Sequence, residues 1–141
     1  MSLMVKTLSA IHRGIYSATG GRLGNRIAGM SVLLLTTVGR STGKRRTSPL
    51  TYFEDDGAIV LVASYGGRSH NPEWFENLMA AGDGEVTIGR ERRRMRARKA
   101  TAEERARLWP WIVETYDGYA KYQAKTDRQI PLAILSDGEP R

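Results

Sequence analysis

Hydrophobic residues recur along this chain with two periods, and each predicts a different kind of element. Near the N-terminus Met4, Leu8, Ile11 and Ile15 fall at steps of four, three and four, the stripe of an amphipathic helix. Thr19, Gly20 and Gly21 end it, and Gly24 and Asn25 continue a flexible link. Packing on the domain accounts for the stripe, and peripheral membrane contact is left open. Residues 31–38 (SVLLLTTV) form a β-rich run, residues 47–53 a second strand, Asp55-Asp56-Gly57 a tight turn and residues 58–64 (AIVLVAS) a third strand. The last two make a hairpin.

After a loop over residues 65–70, Asn71 is placed as N-cap and Pro72 as first residue of a short helix carrying Trp74, Phe75, Leu78 and Met79. Residues 82–84 close that helix, and residues 85–88 and 91–100 form another hairpin around Gly89-Arg90. Thr101 and Glu104 have capping-box spacing and open a further helix, which Pro110 is expected to bend or split. Residues 130–135 (IPLAIL) are a final strand, followed by a frayed tail. Hairpins outnumber βαβ units, so the class is mainly β with helices (α+β): a small antiparallel barrel with helical decoration.

Composition narrows the chemistry. A chain of 141 residues with 40% hydrophobic and 26% charged residues is one soluble globular domain. It has no cysteine, which excludes disulfides, thiolate metal sites and a thiol nucleophile, and its two histidines, His12 and His70, lack ligand spacing, so no metal is expected. Lys6, His12 and Arg13 interrupt the N-terminal apolar run, and no run reaches the length of a membrane span; a cytoplasmic location is expected. A net charge of +7 favours anionic partners without naming one.

The segment TTVGRSTGKRRTSPL holds Arg40, Lys44, Arg45 and Arg46 among small hydroxyls and glycines, with no acid. It fails as a Walker loop: three residues rather than four separate Gly39 from Gly43, and a strand follows it instead of a helix. As a strand–loop–strand link it is either a solvated basic hairpin loop or an anion site built on guanidinium forks and close backbone approach. In ERRRMRARK, Arg92, Arg94, Arg96 and Arg98 share one face of a strand and Arg93, Met95 and Ala97 the other. Without interleaved aromatics for stacking, that run reads as a solvated edge strand rather than a nucleic-acid surface. Tyr116, Tyr119 and Tyr122 recur at a step of three, either as ordinary aromatic packing or as a polar aromatic wall for a flat ligand. His70 reads as a surface or capping residue, and no nucleophile–base pair is present. Any redox chemistry therefore belongs to a cofactor.

Three segments taken together, LLLTTVGRSTGKRRTSPLTYF, VLVASYGGRSHNPEWFENL and TAEERARLWPWIVETYDGYAKYQAKTDRQIPLAIL, resemble the deazaflavin (coenzyme F420)-dependent nitroreductase family of actinobacteria. The resemblance implies a split β-barrel like that of flavin-binding oxidoreductases. It also implies a reductase passing hydride from reduced F420 to an electron-poor acceptor such as a quinone, an enone or lactone, or a nitroaromatic. On this resemblance residues 1–29 are a helix and linker, residues 30–136 the cofactor-binding barrel and residues 137–141 a tail.

Carried over by position, Arg40, Ser41 and Thr42 meet the phosphate and poly-glutamate arm of the coenzyme, while Arg46, Thr47, Ser48, Pro49, Leu50 and Thr51 run along the deazaflavin and its linker. Val62, Ala63, Ser64 and Tyr65 flank the ring edge, and Trp74 and Asn77 lie on the adjoining helix. Tyr119 faces the acceptor as the catalytic residue, with Tyr116 and Tyr122 shaping the pocket. The family commonly has lysine where this chain has Ser41 and Tyr65, and Lys44, Arg45 and Arg68 stand by to compensate. An FMN-dependent oxidoreductase on the same barrel and a non-catalytic F420 carrier are the alternatives. No nucleic-acid partner is expected, and the choice between monomer and homodimer stays open.

Overall fold

The computed structural model describes residues 26, 27 and 30–137. The expected N-terminal helix and the end of the tail lie outside these residues. Within the expected linker, Arg26–Ile27 is a two-residue strand, β1, which pairs antiparallel with the start of β2, Met30–Val38. The other strands are β3 (Arg45–Asp55), β4 (Ala58–Val62), β5 (Asp83–Ile88), β6 (Glu91–Lys99) and β7 (Leu132–Asp137). They run β2-β3-β4-β7-β6-β5, every pair antiparallel, and β5 pairs back onto β2 to close a six-stranded barrel.

Strand alternation builds two cores. Leu33 and Leu35 on β2, Ile59 and Leu61 on β4, Val86 on β5, Met95 on β6 and Ala133 and Leu135 on β7 fill the barrel interior. Helix α1 (Glu73–Ala81) adds Phe75 and Leu78 to this cluster. Leu78 is fully buried, a contribution of about 2 kcal/mol. Gly84 makes way for it, since a Cβ there would stand 2.8 Å from a Leu78 methyl. The alternate residues Val60, Leu132 and Ile134 face outward. Helices α2 (Ala102–Thr115) and α3 (Gly118–Ala124) cover them with Leu108, Ile112, Tyr119 and Tyr122.

Several sequence expectations shift. The arginine-rich strand is no edge: β6 pairs with β5 on one side and β7 on the other. Closure of the barrel removes the edge, while the expected alternation survives in buried Met95 between exposed Arg94 and half-buried Arg96. Pro72, in extended conformation, caps α1 in place of Asn71, its carbonyl accepting from the backbone of Phe75 and Glu76. Asn71 turns its side chain to Glu76 and Arg128 instead.

Pro110 does not split its helix; α2 runs unbroken from the Thr101–Glu104 capping box to Thr115. The chain breaks later, at Tyr116 and Asp117. β3 starts at Arg45, β4 ends at Val62 and β5 begins at Asp83, directly after the left-handed Gly82 that ends α1. β7 begins two residues later than expected and continues to Asp137. Among the described residues no helix is long and apolar enough to cross a membrane.

Candidate functional site: a cleft where two strands part

β3 and β4 are joined only by the register Phe53↔Val60, Glu54↔Ile59 and Asp55↔Ala58. Continued, that register would set Thr51 opposite Val62, Leu50 opposite Ala63 and Pro49 opposite Ser64, but the strands separate before those positions. Among the described residues only β2 runs alongside β3 from residue 45 to 51. The barrel is thus split, and the two lips of the split are residues 46–51 and 62–65, the segments expected to line a cofactor. Proline in β3 agrees with an edge, where a missing N–H breaks no ladder.

The first lip carries two kinds of side chain. Arg46, Ser48 and Leu50 lie on the same face as their partners Thr37, Leu35 and Leu33, toward the barrel interior. Thr47, Pro49 and Thr51 lie on the opposite face. Thr47 shares a 2.8 Å hydroxyl–hydroxyl hydrogen bond with Thr36. Thr51 shares one of 2.7 Å with the phenol of Tyr119, which reaches it from α3.

At the open end of the lip, the loop between β2 and β3 closes on itself. The Gly39 N–H donates to the Lys44 carbonyl and the Gly43 N–H to the Gly39 carbonyl, each at 2.8 Å. Arg40 is anchored to α1: its backbone N–H and its Nη1 donate to Asn77 Oδ1 at 3.1 and 2.7 Å, and Nη1 also meets Glu73 at 2.9 Å. Asn77 is buried, so its role is to fix the loop from beneath. Arg45 pairs with Glu85. Lys44 and Arg46 have no acidic partner among the described residues, and with exposed Ser41 and Thr42 they leave uncompensated positive charge beside the cleft. That donor set suits a flexible polyanion.

The second lip is held from behind. Ala63 is buried and half-buried Ser64 leads into a tight 3₁₀ turn, Tyr65–Gly67. Tyr65 has φ of 49°, rare for a side-chain-bearing residue. Its ring lies under the Arg68 guanidinium at 4.4 Å and meets His70 edge-on. Gly67, with φ of 85°, packs so close to α3 that a Cβ would stand 2.6 Å from the Tyr122 carbonyl.

Arg128, in the link between α3 and β7, gives hydrogen bonds to the carbonyls of Ser64 (2.8 Å), Ala63 (3.2 Å) and Arg68 (2.8 Å) and to Asn71 Oδ1 (2.8 Å). Sequence reading missed it. A lone arginine in a polar segment carries no local signal, because its partners lie about 60 positions away in the chain.

Tyr116, Tyr119 and Tyr122 do come together, with edge-to-face contacts at 5.3 and 6.1 Å between ring centroids. Tyr119 and Tyr122 are buried one helical turn apart on α3, and Tyr116 is half-buried at the end of α2. Burial, countered in part by the Thr51 hydrogen bond, pushes the Tyr119 phenol above its ordinary pKa. Burial and then a hydrogen bond to Tyr116 push Tyr122 up as well. Both phenols are therefore neutral throughout the physiological range. Tyr119 is only 5% exposed and meets the first lip through its phenol, at Thr51. Trp74 packs edge-on against Phe75 and the interior cluster. No group of three or more potential metal ligands occurs among the described residues.

Known proteins share the family signature and the fold of this chain. The sequence model of one family, described as F420H(2)-dependent quinone reductase, matches residues 8–137. An F420H(2)-dependent quinone reductase of Mycobacterium tuberculosis H37Rv is 39% identical over 133 residues, covering 92% of this chain and 89% of its own length. A solved F420-H2 dependent reductase superposes with a TM-score of 0.66 at 40% identity, over 74% of this chain and 93% of that one. Another solved structure, described as a domain-swapped dimer, gives 0.69 at 34% identity over 90% and 96%. A pyridoxamine 5'-phosphate oxidase-like protein of Listeria innocua shares the barrel at 12% identity, a likeness of fold alone.

Proposed function

The chain belongs to the F420H(2)-dependent quinone reductase family, and on that premise we propose that the cleft where β3 and β4 part is its coenzyme site. The protein is an oxidoreductase that uses reduced coenzyme F420 as hydride donor, with a quinone as the acceptor class. The observation that carries the site reading is the coincidence of the split with residues 46–51 and 62–65. The two arms of one hairpin become facing lips where the β3–β4 ladder stops.

In the bound complex the reduced deazaflavin supplies a hydride, and a quinone that takes up that hydride and one proton leaves as the hydroquinone. The protein's part is binding, orientation and charge. Arg46 and Lys44 receive the anionic arm of the coenzyme, assisted by Ser41, Thr42 and the outer nitrogens of Arg40. Asn77 acts by holding Arg40 in place, and Trp74 by supporting the helix that carries Asn77. Ser48, Leu50 and the backbone of residues 47–51 form one side of the slot, and Val62, Ala63, Ser64 and Tyr65 form the other. Such pre-set walls hold donor and acceptor in near contact, which supplies much of the acceleration of a hydride step.

Tyr119 acts as a neutral hydrogen-bonding group. Either hydroxyl can donate in the Thr51–Tyr119 bond. When Thr51 donates, the phenol hydrogen is free for an acceptor oxygen and stabilises charge as hydride arrives. A phenol whose pKa is raised by burial does not give up its proton readily, so the proton comes from solvent. Tyr116 and Tyr122 keep the Tyr119 ring in place.

The test is anaerobic turnover of F420H2 with menadione, with a nitroaromatic and an enone as comparison acceptors. Protein-dependent oxidation of one coenzyme per quinone reduced is the expected result. Binding of the coenzyme without oxidation by any quinone would overturn the proposed catalytic role of the cleft.

A further inference from the structure

The two lips of the cleft are held by different means. The first belongs to an eleven-residue strand laddered to β2 along most of its length. The second begins where β4 ends, and past Val62 the chain is a turn with one backbone bond to the β7 side, from the Ala63 N–H to the Pro131 carbonyl. The turn closes on itself, the Gly67 N–H donating to the Ser64 carbonyl and the Arg68 N–H to the Tyr65 carbonyl, and packs on α3 at Gly67. One side chain ties it to the rest of the domain through several hydrogen bonds at once. The guanidinium of Arg128 spans carbonyls on both sides of the turn, Ala63 and Ser64 before it and Arg68 after it, and reaches the Asn71 side chain ahead of α1.

Every one of these acceptors is neutral, and Arg128 has no carboxylate partner among the described residues. An arginine placed for charge pairing would seek an acid. An arginine placed for shape uses its rigid planar fork to set several carbonyls at fixed spacing. Gln123 holds this arginine in turn, its amide nitrogen donating to the Arg128 carbonyl at 2.7 Å while its oxygen accepts from the Ile130 N–H at 2.9 Å.

We propose that Arg128 is a positioning residue for the coenzyme: it fixes the Ala63–Ser64 lip, and so the width of the cleft, from the side away from the ligand. This deepens the site reading above and rests on it. Partial burial, which lowers the arginine's pKa without discharging it, is consistent with a fork that trades hydration for these four bonds.

Lysine keeps the charge but has one nitrogen and no fork, so Arg128→Lys cannot serve three carbonyls and an amide at once. The experiment is a titration of oxidised F420, followed by its fluorescence, against wild type, Arg128→Lys and Asn71→Ala. Val86→Ala, a core truncation on β5, serves as stability control. Steady-state kinetics with F420H2 and menadione accompany it.

Arg128→Lys should weaken coenzyme binding about tenfold or more, a size ordinary for an ångström-scale displacement of a binding surface. It should raise KM for F420H2 and leave KM for menadione unchanged. Asn71→Ala, which removes one of the four acceptors, should shift the same quantities in the same direction by less. Val86→Ala should lower Tm and leave coenzyme affinity alone.

If Arg128→Lys and Asn71→Ala lose Tm as Val86→Ala does but bind F420 like wild type, Arg128 is an ordinary structural residue and the inference is wrong. If wild type itself does not bind F420, the site reading fails instead. Should Arg128→Lys not fold, Asn71→Ala alone decides, because an unchanged Kd in that variant also overturns the proposal.

Discussion

The hydrogen bond between Thr51 and Tyr119 joins the first lip to the aromatic wall, and its energetics can be worked from burial. The two partners are unequal. Tyr119 is 5% exposed in a hydrophobic cluster, while Thr51 is half-buried at the strand edge, where water can reach its hydroxyl. Tyr119→Phe removes the buried phenol and leaves Thr51 to water, so it should cost about 1 kcal/mol, the net worth of a neutral hydrogen bond. Thr51→Val leaves the phenol buried with no partner and should cost more, about 1–3 kcal/mol. The double variant removes both polar groups together and should fall close to Tyr119→Phe alone, because an apolar pair of the same shape leaves nothing unsatisfied.

For a domain of this length 1 kcal/mol corresponds to about 3–4 °C in Tm, within reach of thermal melts followed by circular dichroism. The predicted order of Tm is wild type, then Tyr119→Phe and the double variant together, then Thr51→Val. Strict additivity, or a Tyr119→Phe variant less stable than Thr51→Val, would refute the reasoning. The same variant has a kinetic side. If Tyr119 stabilises charge without donating its proton, Tyr119→Phe should lower kcat by about tenfold rather than by the 10²–10⁴ typical of a lost general acid. The wild-type rate should also show no tyrosine ionisation from about pH 6 to 9, since the phenol's pKa is raised.

Three further outcomes follow from the same geometry. Raising salt from about 0.1 to 1 M shortens the screening length from ~10 to ~3 Å, so Kd for F420 should rise steeply in wild type and less in Arg46→Ala. Gly67→Ala combines a positive φ with a Cβ driven into the Tyr122 carbonyl; it should lower Tm by more than the 3–4 °C of a lost hydrogen bond, checked by calorimetry. The Glu104 carboxyl is held down to about 2, first by Arg98 and then by the Thr101 backbone N–H. A pKa depressed below the ordinary 4.5 gives stability that is complete above pH 4.5 and lost as pH falls toward 2. The Tm gap between wild type and Glu104→Gln should therefore be widest at neutral pH and close across that window.

Strand and helix types were legible because the barrel is built on alternation. Leu33, Leu35, Ile59, Leu61 and Met95 point inward at every second position, and a period of two survives any topology. The capping box at Thr101 was legible because both halves lie within one helical turn. What lay hidden is non-local. Nothing in ERRRMRARK says that β5 pairs back onto β2, so a strand flanked on both sides read as an edge.

Asn71 looked like a cap because its type and its place before Pro72 fit one; its long-range bond to Arg128 pulls it elsewhere. At the site, the basic loop and the tyrosine triplet were visible as composition. The anchoring of Arg40 by Asn77 and the clamp of Arg128 exist only once segments 37 to 65 residues apart meet, and the split depends on where the ladder of one hairpin stops. Pro49 was the one local sign of the open edge, since proline inside a strand belongs where no ladder bond is needed.

The most direct test of the site is a fluorescence titration of oxidised F420 against wild type, Arg46→Ala and Arg92→Ala. Both arginines lie on strands and neither has an acidic partner among the described residues, but only Arg46 stands on a lip of the cleft. The account predicts wild-type affinity in Arg92→Ala and a loss of about tenfold or more in Arg46→Ala, the cost of one charge-assisted contact. Equal affinity in Arg46→Ala and wild type, with the loss appearing in Arg92→Ala, would place the coenzyme on the outer face of the barrel and contradict it.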